Sequence, residues 1–449
     1  MPSDRTSYES PFSYRYGSDE MRHLWSPGHR HRQWRLVWYA AAKALQSVGY
    51  SITDQQLQEM KDHLELTEES FARAAEYEKS LKHDVMAHLR AFGDECPLAR
   101  PIIHLGMTSQ DVVCNADVGI ILDSFKCIKE KIDRVSISLA NFADKWKSVP
   151  TLGFTHFQAA QPLTVGRRAA QWLHDLDLAM RSLNFQVGFV RYKGLRGATG
   201  TQSSFIQVLG SEAKACEADK IFSRHYMGRS PYELVSQTYP RIVDAFIMSG
   251  LAGVAAVLHK IAVDIRLLSH MDEIREGFGK DQVGSSAMPY KRNPMTCESI
   301  CGICRFVMNL VGNAYETAAT QWLERTLDDS SNRRLVLPDA FLGVDAALSS
   351  TLEVIGSLQV NEEAIAFRLE FHRYSLCSEA LIAHAVSRGF DRNDAHEAIR
   401  VAWESGDAVG KILENPMFAG CRDILESPAS AFTGRSEQQV IDFLGDRKA

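Results

Sequence analysis

The chain has 449 residues, of which 45% are hydrophobic and 24% are charged, and its formal net charge is −6. This length is enough for about three domains, and the composition is that of an ordinary soluble globular protein. The negative charge argues against a nucleic-acid binder, whose surface would be basic. Residues 1–10 lack the apolar core of a secretory signal, and no apolar run approaches the roughly 20 residues that cross a bilayer. We therefore expect a cytoplasmic protein that contacts neither nucleic acid nor membrane.

Helical periodicity dominates the sequence. The segment 57–90 is predicted to form two amphipathic helices, the second capped by Thr67. Long helices are predicted over 111–147, from Pro162 to about 192, over 244–276 and over 297–322. Convincing strand alternation is scarce. Because the long helices are apolar around more than one stripe, they favour a bundle that also packs against other subunits.

We predict an all-α fold with three helical domains. The segment around Pro101 to Gln110 separates an N-terminal helical domain, 1–110, from a central long-helix bundle, 111–361. Beyond Val360 the helices become shorter and glycines more frequent. This change predicts a small C-terminal helical domain over 362–449.

The segment Gly284–Pro294 carries two adjacent serines, two adjacent cations and three backbone breakers. Such a composition suits a mobile lid that closes on an anion and brings a nucleophile or a base with it. An ordinary solvated connection is the alternative.

Four further polar segments lie mainly at helix ends, and the N-terminal end of a helix is a favourable position for an anion. His156 and its flanking amides precede a predicted helix, although a lone histidine often makes only a structural hydrogen bond. Thr108 or Ser109 can cap the helix that follows them, which leaves a hydroxyl for a ligand carboxylate. The arginine-rich stretch 324–334 could equally be a solvated loop, and the triplet 82–84 is more often an ordinary helix surface.

Taken together, these segments resemble the shared blocks of the fumarase/aspartase superfamily, and the resemblance extends from residues 13–16 to residues 432–435. The form Ser-Ser-Ala-Met-Pro-Tyr-Lys-Arg-Asn-Pro, with Lys82-His83-Asp84 and the stretch from Arg325 to Arg334, is most similar to the adenylosuccinate lyases. The resemblance implies release of fumarate from adenylosuccinate, giving AMP, and from succinylaminoimidazole-carboxamide ribotide (SAICAR), giving the carboxamide ribotide. It also implies a homotetramer whose composite sites draw on three subunits, with no metal or organic cofactor.

The resemblance assigns roles to individual residues. Ser285 would be the base, Lys291 and Asn293 would hold the substrate carboxylate, and His156 would protonate the leaving nitrogen, oriented by Glu298. His83, counted with this catalytic group, would bind the phosphate or ribose end together with Lys82, Arg15 and Tyr16. The remaining candidates for substrate binding are Asp84, Thr108, Ser109, Gln237, Arg325, Ser330 and Arg334.

The sequence departs from the family at four positions. Many relatives carry Pro at 159 and Asp at 114, where this chain has Ala159 and Cys114, and Arg at 296 and 299, where it has Thr296 and Ser299. The last two changes could alter the balance between the two substrates. A sister enzyme such as argininosuccinate lyase is one alternative. A non-catalytic helical scaffold is another, but it would have no need of the serine, histidine and lysine named above.

Overall fold

The computed structural model describes residues 6–447, apart from the side chain of Tyr226, and most of this part is helical. The α-helices are α1 Asp19–Leu24, α2 Pro27–Ser47, α3 Asp54–Asp62, α4 Glu68–Leu81, α5 Asp84–Glu95, α6 Ser109–Lys145, α7 Val165–Val187, α8 Ser203–Leu209, α9 Glu212–Ile221, α10 Ile242–His270, α11 Met295–Ala319, α12 Asp328–Ser357, α13 Glu362–Phe371, α14 Arg373–Leu376, α15 Ser378–Ser387, α16 Arg392–Glu404, α17 Ala408–Glu414, α18 Arg422–Glu426 and α19 Ser436–Asp446. The strands are β1 Pro150–Thr155, β2 Gln158–Thr164, β3 Ile274–Arg275 and β4 Gln359–Val360. Phe12–Tyr16 and Phe222–Tyr226 are π-helical turns, and Pro416–Phe418 and Ala429–Phe432 are 3₁₀ turns.

The predicted all-α class is confirmed, because the four short strands form only two small antiparallel pairs within residues 6–447. The long helices predicted over 111–147, 244–276 and 297–322 correspond to α6, α10 and α11. Thr67 does cap a helix, since its hydroxyl accepts from the N–H of Ser70 at 3.2 Å in a reciprocal capping box. The segment 57–90, however, contains parts of three helices rather than two. The second break falls at Lys82, whose left-handed backbone (φ 52°) ends α4.

The prediction that a helix begins at Pro162 was wrong about where the helix starts. Pro162 lies in β2, opposite Leu152 of β1, and α7 begins three residues later. A proline suits the first turn of a helix, but it is also tolerated in an edge strand, and both strands of a two-stranded hairpin are edge strands. The side chain of Thr164 caps α7 instead, accepting from the N–H of Arg167 at 3.1 Å.

The chain divides into two compact units. The first unit comprises Met1–Ile132, Leu178–His259 and Ile300–Ser349, and the second comprises Asp133–Asp177, Lys260–Ser299 and Ser350–Ala449. In the first unit, Trp34 and Trp38 of α2 pack with Phe92 and with the apolar face of α9. In the second unit, the short C-terminal helices enclose a separate core around Leu381, Ile399 and Phe418. The division into three domains at 110/111 and 361/362 stays a prediction.

Two helices, α10 and α12, are long and apolar enough to cross a membrane by length and composition. The apolar window of α10 is 56% buried inside the structure and that of α12 is 67% buried. Core helices of soluble proteins pass the same test. The apolar surface of α10 and α12 is therefore accounted for mainly by packing within the chain.

Candidate active site

The strands β1 and β2 form a hairpin with His156 at its tip. Thr155 pairs with Gln158, so the loop consists of His156 and Phe157, and both have left-handed backbones (φ 53° and 59°). Two such residues define a type I′ turn, whose twist matches that of paired strands but which normally requires Asn-Gly. Non-glycine residues in this region carry strain, and here the pairing of the strands imposes it. The turn thus presents the His156 ring as an exposed group.

The predicted lid, 284–294, lies almost wholly in the irregular segment 279–293, which we call the lid from here on and which contains Ser285. Its hydroxyl oxygen accepts from the N–H of Met288 at 3.1 Å and of Ala287 at 3.4 Å. Two N–H donors aimed at one oxygen favour its negatively charged form. A serine with such partners is a better candidate for a base than a serine in water.

Lys291 and Asn293 lie on the C-terminal side of the lid. The Lys291 side chain is exposed, and its backbone N–H donates to the carbonyl oxygen of Met288 at 3.0 Å. The Asn293 amide donates to the carbonyl oxygen of Gly284 at 2.9 Å. A Cβ atom at Gly284 would lie 2.2 Å from the carbonyl oxygen of Lys291, so only glycine fits there. Lys291, Asn293 and Ser285 are therefore brought together in one loop.

Glu298 lies in the first turn of α11. Its carboxylate is 3.8 Å from the guanidinium of Arg266 on α10, and both side chains are about half exposed. Among the described residues of the second unit, no hydrogen bond or ion pair joins Glu298 to His156. The pairing of these two residues stays a prediction.

The junction of α4 and α5 holds the triplet Lys82, His83 and Asp84 in the first unit. His83 is the N-cap of α5, and its Nδ1 accepts from the N–H of Met86 at 3.4 Å. Asp84 forms an ion pair with Arg334 of α12. Burial alone would raise the pKa of Asp84, but the charge and hydrogen bond of Arg334 outweigh it and leave the pKa below its usual value. Asp84 and Arg334, two predicted binding residues that are far apart in the sequence, are thus in contact.

Two stacked histidines lie close to this junction. The ring of His88, one turn after Asp84 on α5, stacks on the ring of His31 at a centroid distance of 3.8 Å, and Trp34 packs edge-on against both. Burial lowers the pKa of His31 to about 3 and that of His88 to about 4. Both rings are therefore neutral at pH 7.

Arg325 bonds directly to Gln237 and is held by a buried carboxylate, Asp329, that sequence reasoning missed. Arg325 donates from Nη1 to the amide oxygen of Gln237 at 3.1 Å, and its other nitrogens contact Asp329. Asp329 also accepts from Nε of Arg241 at 2.8 Å. The spacing of Arg325 and Asp329, four residues apart, was an available signal, but the contribution of Arg241 depends on tertiary structure.

The other predicted binding residues are more dispersed. Ser330 lies in the first turn of α12, and Thr108 immediately precedes α6, where its N–H donates to Asp111 at 2.8 Å. Ser109 is the first residue of α6. Arg15 and Tyr16 lie in the π-helical turn, where the guanidinium is 5.6 Å from the ring centroid. In the described part of the first unit, no hydrogen bond or ion pair links these five residues to the Arg325 or Asp84 groups.

The glycine-rich loop 197–201 uses its first N–H group within the chain. The N–H of Gly197 donates to both carboxylate oxygens of Asp111, at 3.2 and 3.1 Å. Asp111 is fully buried and also pairs with Lys193. This part of the loop therefore has a structural role.

Comparisons with known proteins identify the family of this chain. A protein family described as Lyase matches residues 19–309. The adenylosuccinate lyase of Schizosaccharomyces pombe is 40% identical over 98% of this chain and 95% of its own length, and that of Saccharomyces cerevisiae is 38% identical over 99% and 95%. A crystal structure of a fumarate lyase from Mesorhizobium sp. BNC1 is similar in fold, with a TM-score of 0.84 and 22% identity over 98% of this chain and 99% of that chain. A 3-carboxy-cis,cis-muconate lactonizing enzyme from Pseudomonas putida is equally similar, with a TM-score of 0.84 and 20% identity over the same shares. The chain belongs to the lyase family and, within it, to the adenylosuccinate lyases.

Proposed function

We propose that this chain eliminates fumarate from adenylosuccinate, which leaves AMP, and from SAICAR, which leaves the carboxamide ribotide. The observation that carries the proposal is the identity of 40% to an adenylosuccinate lyase over almost the whole of both chains. The lid adds a physical reason, because its serine hydroxyl accepts two backbone N–H bonds. The reaction is a carbon–nitrogen bond cleavage, so the chain is a lyase.

The elimination needs a base, a stabiliser of negative charge and an acid. We assign Ser285 as the base that removes a proton from the carbon beside a carboxylate. Lys291 and Asn293 would bind that carboxylate as negative charge develops on it. His156 would give a proton to the leaving nitrogen as the carbon–nitrogen bond breaks, and Glu298 would orient its ring. The base ends protonated and the acid deprotonated, so the two protons balance.

The groups in the first unit would bind the rest of the substrate. Arg334, held by Asp84, and Arg325, held by Asp329, supply guanidinium groups suited to phosphate or carboxylate. We assign His83, with Lys82, Arg15 and Tyr16, to the phosphate or ribose end. Thr108, Ser109, Gln237 and Ser330 would complete the hydrogen bonds to the substrate.

We further propose a cytoplasmic homotetramer in which each active site takes residues from three chains. The exposed apolar side chains on the long helices support it, since Ile137, Phe185 and Leu335 are each more than 60% exposed. Large exposed apolar surfaces mark sites of association. No hydrogen bond or ion pair joins His156 to Glu298 among the described residues of the second unit, which also fits a site completed by another chain.

The proposal is tested by incubating the purified protein with adenylosuccinate and, separately, with argininosuccinate, and following product absorbance. Fumarate and AMP from adenylosuccinate alone support the proposal, and SAICAR then shows whether Thr296 and Ser299 alter the balance between the two substrates. Turnover of argininosuccinate would move the assignment to a sister enzyme. No turnover of either would favour a non-catalytic scaffold.

A further inference from the structure

A buried carboxylate lies against the start of α11, directly after the lid. Glu276 is 7% exposed, and it accepts from the N–H of Thr296 through Oε1 and of Cys297 through Oε2, both at 3.0 Å. These N–H groups belong to the first turn of a 25-residue helix, where backbone donors lack partners within the helix and negative charge is favoured. Glu276 therefore caps α11, although it lies about 20 residues before the helix in the sequence.

Glu276 is itself held on a rigid segment. The two residues before it form β3, which pairs with β4. The residue after it, Gly277, donates from its N–H to the hydroxyl of Ser357 at 3.2 Å. A Cβ atom at Gly277 would lie 2.4 Å from the Cβ of Ser357, so the two backbones meet as closely as glycine allows. The backbone that carries the capping carboxylate is thus held in place.

The two ends of the lid are close together. The guanidinium of Arg292 lies over the ring of Phe278, 5.3 Å from its centroid, and Asn293 donates to Gly284 across the loop. Between these contacts the side chains of residues 286–291 are exposed. A surface loop whose ends meet in this way is a compact Ω-type loop, and the position of its exposed middle depends on where its ends are held.

We propose that Glu276 is a positioning residue for the lid. Its carboxylate connects the N-terminus of α11, which follows the lid, to the segment 274–277, which precedes the lid. Both ends of the lid are therefore held in place, and this determines the position of Ser285. Without the carboxylate the first turn of α11 loses two hydrogen bonds, and the exit of the lid is free to shift. Misplacement of a catalytic group by about 1 Å can cost roughly 10²-fold in rate. The proposal rests on the function proposed above.

The kinetic test compares wild type with Glu276→Ala. Since the substrate still binds while the base is misplaced, kcat should fall by about 10-fold or more and KM should change by less than about 3-fold. Glu276→Gln keeps one carbonyl oxygen as an acceptor and should restore part of kcat. Asp391→Ala is the matched control, because Asp391 accepts two N–H bonds at the start of α16 and has no part in the lid. It should keep the wild-type kcat.

Hydrogen exchange of lid peptides gives a readout that does not depend on turnover. In Glu276→Ala and Glu276→Gln, the amides of the lid and of the first turn of α11 should exchange faster, while those of α16 should not. Unchanged lid exchange with unchanged kcat would overturn the proposal, as would an equal loss of kcat in Asp391→Ala. If the wild type does not cleave adenylosuccinate, the proposed function fails, but the exchange data still decide whether Glu276 holds the lid.

Discussion

Arg325 donates two hydrogen bonds to a single oxygen of Asp329, from Nη2 at 3.0 Å and from Nε at 3.3 Å. The other oxygen of Asp329 accepts from Arg241 at 2.8 Å, and the Asp329 side chain is fully buried. The guanidinium of Arg325 is therefore fixed in one plane, with its remaining nitrogen directed to Gln237. A residue oriented in this way is suited to recognise a planar or tetrahedral anion.

Arg325→Lys tests whether this orientation matters. An ammonium group cannot reproduce the fork that contacts Asp329 and Gln237 together, so we expect KM for adenylosuccinate to rise by about 10-fold or more, the cost of one charge-assisted hydrogen bond. Arg400→Lys is the matched control, since Arg400 forms exposed ion pairs with Glu397 and Glu404. Steady-state kinetics measure both variants. An unchanged KM in Arg325→Lys would remove Arg325 from the binding site.

Some of this arrangement was predictable from sequence and some was not. The caps and long helices follow from local rules, so Thr67 and the extent of α6 were predicted correctly. The hairpin was missed because β1 and β2 lack clear alternation and turn on His156-Phe157 rather than Asn-Gly. Polar loops at helix ends indicated where a site could form. The pairing of Asp84 with Arg334, which are separated by 250 positions, has no local signal.

Lys193→Met tests the buried ion pair beneath the loop 197–201. Lys193 and Asp111 are both fully buried, so removal of the cation leaves an uncompensated carboxylate. We expect the free energy of unfolding to fall by about 3–5 kcal/mol. Lys260→Met, which breaks an exposed pair with Asp264, should cost less than about 1 kcal/mol. Denaturant unfolding of the two variants compares them, and equal losses would contradict the account.

The stacked histidines predict a pH dependence of stability. In the unfolded chain His88 takes up a proton near pH 6.5, whereas in the folded protein its pKa is lowered to about 4 by burial. The unfolded state therefore binds more protons between these values. Stability should be highest above pH 6.5 and should fall as the pH drops towards 4, with His31 acting in the same direction.

His88→Phe keeps a stacked ring but removes the titration. Its free energy of unfolding should depend less on pH in this window, by up to about 1.4 kcal/mol per pH unit. Trp34→Phe is the control, because it alters the same aromatic cluster without changing a titratable group. It should lower stability equally at each pH. If the free energy of unfolding of His88→Phe depends on pH as steeply as that of wild type, the His88 ring is not held neutral in the folded protein.

Subunit exchange tests the composite site. Ser285→Ala and His156→Ala should each be nearly inactive alone. If Ser285 and His156 of one site come from different chains, random mixing of the two variants should restore about a quarter of the wild-type activity, because each position then has an even chance of an intact residue. The mixture is assayed after dissociation and reassembly, with each variant alone as its control. No recovery would mean that both residues of a site come from the same chain.

The most direct test of the central claim is the rate of fumarate release from adenylosuccinate by wild type and Ser285→Ala, with Ser427→Ala as the control. Ser427 lies at the end of α18, and its hydroxyl donates only to the carbonyl oxygen of Asp423 among the described residues. We expect Ser285→Ala to lose roughly 10²-fold or more in kcat, as on removal of a positioned base, while Ser427→Ala keeps the wild-type rate. A rate for Ser285→Ala within a few-fold of wild type would contradict the account.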